Sequence, residues 1–130
     1  MKYLILDVEV YPNQVMVGIL NAATNNITVL DGIDQIKAKL KPHYRSQNIT
    51  FITFNGMRYD LPLIEHILYD SDIQAYRFSQ YLIEGSDITP SWHEQHVDLL
   101  NILPRTQRCS LKELGHRLGY NVLENLPFKY

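Results

Sequence analysis

Residues 3–9 read YLILDVE, an apolar run that carries two carboxylates, Asp7 and Glu9, two positions apart. Side chains at i and i+2 of a β-strand point to the same face. The run therefore predicts a strand with an acidic pair on one side. Such a pair on an otherwise buried strand is costly unless positive charge sits between the carboxylates, and a divalent metal ion is the usual source. About fifty residues on, FITFNGMRYD (residues 51–60) reads as a second apolar strand that exits through Asn55 and Gly56 and, after a short turn, delivers Asp60. Three carboxylates gathered at strand ends point to metal-dependent chemistry on phosphate.

Working outward, residues 3–10 predict a buried strand, residues 14–20 a second and residues 27–31 a third. The links between them, Tyr11-Pro12-Asn13 and the polar run 21–26, are short enough for an antiparallel meander. Residues 33–41 place apolar side chains at helical spacing, and Pro42 marks that helix's end. Residues 49–54, ITFITF, form a fourth strand; because it follows a helix, it is expected to run parallel to the first. Helices are expected over Leu61–Tyr69 and Asp72–Ile83, a loop over Gly85–Trp92, and a fifth strand over His96–Leu103. Ser110 with Glu113 three residues later forms a capping box for a helix over 110–118 that Gly119 stops. This succession of elements matches an α/β, ribonuclease H-like layout: a mixed five-stranded sheet with flanking helices, the acids on a strand from the middle of the sheet.

At 130 residues the chain reads as one domain. Its 45% hydrophobic and 20% charged content is that of an ordinary globular protein. No apolar run approaches the ~18 residues of a membrane span, and the acids inside MKYLILDVEV argue against a signal peptide. The single cysteine, Cys109, excludes an internal disulfide and fits a reducing cytoplasm. A net charge of −2 is not that of a protein that coats nucleic acid. It is compatible with a nuclease, because bound metal ions supply positive charge where phosphate must sit.

Phosphodiester hydrolysis needs an activated water and a stabilised leaving oxygen, and two divalent ions ~3.5–4 Å apart provide both. Mg²⁺ and Mn²⁺ prefer oxygen ligands, which Asp7, Glu9 and Asp60 could supply. Plainer readings stand beside this one. Asp7 and Glu9 also fit a solvated strand end. Asp60 fits a helix cap ahead of Leu61-Pro62. Asn55-Gly56 fits a strand-exit turn, or a place where the glycine lets the backbone approach a nucleotide. His93 and His96 have ligand-like spacing but lack the further ligands zinc needs. The basic runs Lys37, Lys39, Lys41, Arg45 and Arg105, Arg108, Lys112 read first as solvated faces.

LDVEV (residues 6–10) resembles the first motif of the DEDD-type, DnaQ-like 3′-to-5′ exonucleases. FNGMRYD (residues 54–60) resembles their second motif, in the Asn-Gly-x-x-Tyr-Asp form found in the exonuclease domains of family-B DNA polymerases and related stand-alone or phage exonucleases. VDLLNIL followed by SLKELGHRLGY resembles the segment leading to the third motif, so the likeness covers nearly the whole chain. It implies that Asp7, Glu9 and Asp60 are catalytic and bind Mg²⁺ or Mn²⁺, and that Leu6, Val8, Asn55 and Tyr59 surround the terminal nucleotide of a single-stranded DNA or RNA 3′ end. The family's third motif, with a fourth carboxylate, is absent from residues 1–130. Tyr120 and Glu124 have its spacing but follow directly on the Gly119 helix stop, and Asp98 reads as part of a strand start. The resemblance thus leaves three expectations open: a C-terminally shortened domain lacking the family's last helix, a short form completed by a polymerase or other second chain, and an exonuclease-like module with weakened or lost catalysis that binds nucleic acid or a protein partner.

Overall fold

A computed structural model describes residues 1–70, 74–85, 88–91, 95–102 and 113. The described elements are β1 (Lys2–Tyr11), β2 (Gln14–Asn21), β3 (Ile27–Asp31), α1 (Ile33–Leu40), β4 (Ile49–Thr53), α2 (Asp60–Tyr69), α3 (Ala75–Ile83) and β5 (His96–Asp98), followed by a 3₁₀ turn over Leu99–Ile102. The five strands form one sheet in the order β3-β2-β1-β4-β5. The meander β1-β2-β3 is antiparallel, and β4 and β5 run parallel to β1. The acidic strand is central, as its sequence led one to expect.

Strand alternation sorts the sheet into two faces. Leu6 and Val8 pair with Ile19 and Val17. With Leu30 and Phe51 they form a core under the three helices. α1 packs on β2 and β3, while α2 and α3 pack on β1. α2 is apolar around most of its circumference and lies between the other two helices, with Leu61, Leu63, Ile64, Ile67 and Leu68 all buried. Full burial of each such side chain contributes about 1.5–3 kcal/mol. Tyr44 is fully buried and stacks on Phe51 with ring centroids 5.8 Å apart. The opposite face carries Tyr3, Ile5, Asp7 and Glu9 of β1, all exposed. No helix among the described residues is long and apolar enough to cross a membrane.

Two expectations need correcting within the described residues. The fifth strand stops at Asp98 rather than running to Leu103. The Asp98 carboxylate accepts the Leu100 N–H at 3.1 Å, which turns the chain into the 3₁₀ segment instead of extending the ladder. The third helix begins at Ala75; residues 71–73, where it was expected to start, lie outside the described residues. So does the expected helix over 110–118, apart from Glu113, and so do Tyr120, Glu124 and the basic residues Arg105, Arg108 and Lys112.

The connection from β4 to α2 is tight. Asn55 has φ 61°, in the left-handed region that asparagine tolerates better than most residues. Gly56 is buried, and a Cβ there would overlap the Thr53 side chain. Thr53 cannot easily yield, being 1% exposed and hydrogen-bonded through Oγ1 to His96 Nε2 at 2.7 Å. Gly56→Ala should therefore lower stability by about 1–3 kcal/mol. Urea unfolding should show it as a lower midpoint at unchanged slope; a wild-type midpoint would mean that Thr53 has room to turn.

Candidate active site

The site is built by a ladder that ends early. β1 pairs with β2 from Leu4 to Tyr11, but with β4 only from Lys2 to Ile5. From Leu6 onward the β4 side of β1 is open, and Asp7 and Glu9 lie on this unpaired stretch. α2 begins beside the opening with Asp60. Asp60 is the first residue of the helix, not its cap: Tyr59 occupies the N-cap position and no side-chain capping bond forms. The Asp60 carboxylate instead accepts a backbone hydrogen bond from Val8, from the strand between the two other acids.

The electrostatics follow from this crowding. Asp60 is only 5% exposed. Burial pushes its carboxyl up to about 8, with further upward pressure from the charges of Asp7, Asp98 and Glu9; the Val8 hydrogen bond offsets part of it. Glu9 is pushed up to about 7 by partial burial, by the Asp7 charge and by a hydrogen bond with the Asp7 carboxyl. The Tyr59 hydroxyl is raised by burial and by the charges of Asp60, Glu9 and Asp7, against the opposing effect of its bond to Ser79 Oγ at 2.7 Å. Asp7, Glu9, Tyr59 and Asp60 thus act on one another although they come from two distant segments. Among the described residues none forms an ion pair with Asp7, Glu9 or Asp60. Equally, among the described residues no three His, Cys, Asp or Glu side chains stand close enough together to hold a metal ion as they are placed. The site is a set of hard oxygen donors with unrelieved negative charge, which suits a hard divalent cation in chemistry but is not closed around one.

The other sequence-derived residues divide by face. Leu6 and Val8 are 2% and 4% exposed with their side chains in the core, so what Val8 presents to the acids is its main chain. Asn55 is half-buried in the turn after β4, and its N–H donates to Asp98 Oδ1 at 2.7 Å. Asp98 is the residue that sequence reasoning underrated. It is buried at 7% exposure, at the end of its strand rather than at a start, and accepts N–H bonds from Asn55, Met57 and Leu100. Both of its carboxylate oxygens accept main-chain N–H bonds, and its charge acts on Asp60. The signal was present in HVDLLNIL: an acid inside an apolar run must find partners when buried. His96, which shares histidine spacing with His93, serves Thr53. Beyond Glu9 a cleft of about 540 Å³ opens between the β1–β2 turn and the starts of α1 and α3, lined in part by Tyr11, Asn13, Gln14, Gln35, Gln74 and Tyr76.

A family model described as RNase_H superfamily, RNase_H_2, matches residues 4–127. The chain belongs to the RNase H superfamily. The match takes in both acidic segments and agrees with the mixed five-stranded sheet. Comparison with curated proteins gives no match, and comparison with solved structures gives none. Membership of this nuclease superfamily supports nuclease activity in general.

The raised carboxyls make a thermodynamic prediction. In the folded chain Glu9 and Asp60 hold their protons more tightly than in the unfolded chain, so their contribution to stability is present in acid and is lost as the pH rises through about 7 and 8. The melting temperature of the metal-free protein should fall across that window. Asp60→Asn should flatten the fall and raise the melting temperature by several degrees at the alkaline end. A wild-type melting temperature that does not decline between about pH 5 and about pH 8 would show that neither burial nor mutual repulsion raises these carboxyls.

Proposed function

We propose that this RNase H superfamily chain is a divalent-metal-dependent 3′-to-5′ exonuclease acting on single-stranded DNA or RNA ends, as its resemblance to the DEDD-type exonucleases suggests. The observation that supports it most is the gathering of Asp7, Glu9 and Asp60 at the unpaired end of β1, where the charges that act most on Asp60 are negative. Asp7, Glu9 and Asp60 are the residues that would hold Mg²⁺ or Mn²⁺. When bound, the ion supplies charge neutralisation for the phosphate and acidity for the attacking water.

The chain's own groups do the rest. Asp7 and Glu9 are exposed and open to a substrate that approaches the free edge of β1, while Asp60 approaches from the buried side and is oriented by Val8 N–H. In the reaction a water oxygen bonds to phosphorus at the terminal phosphodiester and the bond from phosphorus to the 3′ oxygen breaks. The 3′ oxygen takes up a proton and a nucleoside 5′-monophosphate leaves. Tyr59 stands beside the three acids, held by Ser79. The cleft past Glu9 offers Tyr11 and Tyr76 with several carboxamides. This lining suits an unpaired base, which stacks on aromatic rings.

The test is hydrolysis of 3′-labelled single-stranded DNA and RNA in Mn²⁺ and Mg²⁺. Release of nucleoside monophosphates from linear strands, with circular strands spared, is expected. Asp7→Ala should cut the rate by about 10²–10³-fold, the several kcal/mol a bound ion supplies, with circular dichroism unchanged. Cleavage of circular strands would make the protein an endonuclease. A raised melting temperature in Mn²⁺ without any cleavage would make it a non-catalytic module of the same fold.

A further inference from the structure

Asp98 is a buried carboxylate that the proposed chemistry does not touch. A buried charge is tolerated only where hydrogen bonds replace its water. Three main-chain N–H groups do so here: Asn55 at 2.7 Å and Leu100 at 3.1 Å to Oδ1, and Met57 at 3.1 Å to Oδ2. Two of these donors flank Gly56, in a turn where Asn55 is left-handed with φ 61°. Amides of such a turn form a concavity that attracts an anion, and in this protein an internal carboxylate fills it. The same turn is tied to the start of α2: the Leu61 N–H donates to the Gly56 carbonyl at 2.8 Å, and the Arg58 N–H donates to the Asn55 carbonyl at 3.3 Å.

Resting on the metal-site reading above, we propose that Asp98 is a positioning residue for Asp60. It grips the Asn55–Met57 turn from β5, the turn grips the first turn of α2 through Gly56 and Leu61, and the Asp60 carboxylate is thereby aimed at Val8 in the opening beside β1. The link is two hydrogen-bonded steps long, and neither step uses Asp60's own oxygens. In this reading Asp98 is not among the residues that would hold the ion. Its effect on the ion comes through the aim of Asp60, and partners one step removed from a metal typically change its affinity by about 10–100-fold.

The test compares wild type, Asp98→Asn and Leu40→Ala by electron paramagnetic resonance of free Mn²⁺ at a temperature where all three are folded. Leu40 is 2% exposed, in the core at the end of α1, so its truncation destabilises without touching the turn. Asp98→Asn places an amide N–H against one of the three donors and should weaken Mn²⁺ binding by about 10-fold or more. Leu40→Ala should match the wild type within about twofold despite its lower melting temperature. Equal affinity in wild type and Asp98→Asn would overturn the proposal. Failure of the wild type to bind Mn²⁺ would instead remove the metal-site reading on which it rests. Amide hydrogen exchange in the wild type gives a second measurement that needs no variant. Asn55 and Met57 should be protected with and without Mn²⁺, and fast exchange at either would also overturn the proposal.

Discussion

The β1–β4 ladder runs only from Lys2 to Ile5, while the β1–β2 ladder continues to Tyr11. That mismatch leaves one side of the central strand without a neighbour for the length of Asp7–Glu9. A main-chain donor with no ladder partner needs another acceptor, and the Val8 N–H finds it in the Asp60 carboxylate. The β1–β4 pairing and the packing of α2 on β1 join sequence segments about fifty residues apart and bring the start of α2 to the acidic strand. The crowding of charge around Asp60 and the exposure of Asp7 and Glu9 go with this opening.

The arrangement is costly to the folded chain. Asp60 is buried, the charges that act most on it are of its own sign, and no basic residue among those described pairs with the cluster. The compensations lie elsewhere: an apolar α2 with eight buried residues, the Thr53–His96 bond, and the three N–H bonds that keep Asp98 satisfied. Such local conflict against a well-packed background is the pattern expected of a functional site. A cation placed among the three acids would relieve the repulsion directly, and folding stability and ion binding would then be linked through the same carboxylates.

Much of this was legible from residue order. The i, i+2 placement of Asp7 and Glu9 settles that they share a face, because strand geometry allows nothing else. The β-branched and aromatic run ITFITF after a helix gives a parallel β4 by the same kind of rule. What sequence periodicity could not show is where a ladder stops. The extent of β5 depended on a side chain, Asp98, capturing the Leu100 N–H rather than on the apolar run that continues through Leu103. Asp60 had two local readings, cap or ligand. The structure places Tyr59 at the N-cap with no side-chain capping bond, and the main-chain group that acts on Asp60 belongs to Val8, a residue that no window around position 60 contains. The clamp by Asp98 on the turn at Asn55–Met57 has a sequence separation of about forty residues and was invisible for the same reason.

The central claim is spatial, that these three carboxylates share one cation. Crystals of the protein soaked in millimolar MnCl₂ and measured near the manganese absorption edge test it most directly. The account predicts an anomalous difference peak among the carboxylate oxygens of Asp7, Glu9 and Asp60, absent from crystals of Asp60→Asn. A map with no peak there, or with manganese bound only at other acids, would contradict it.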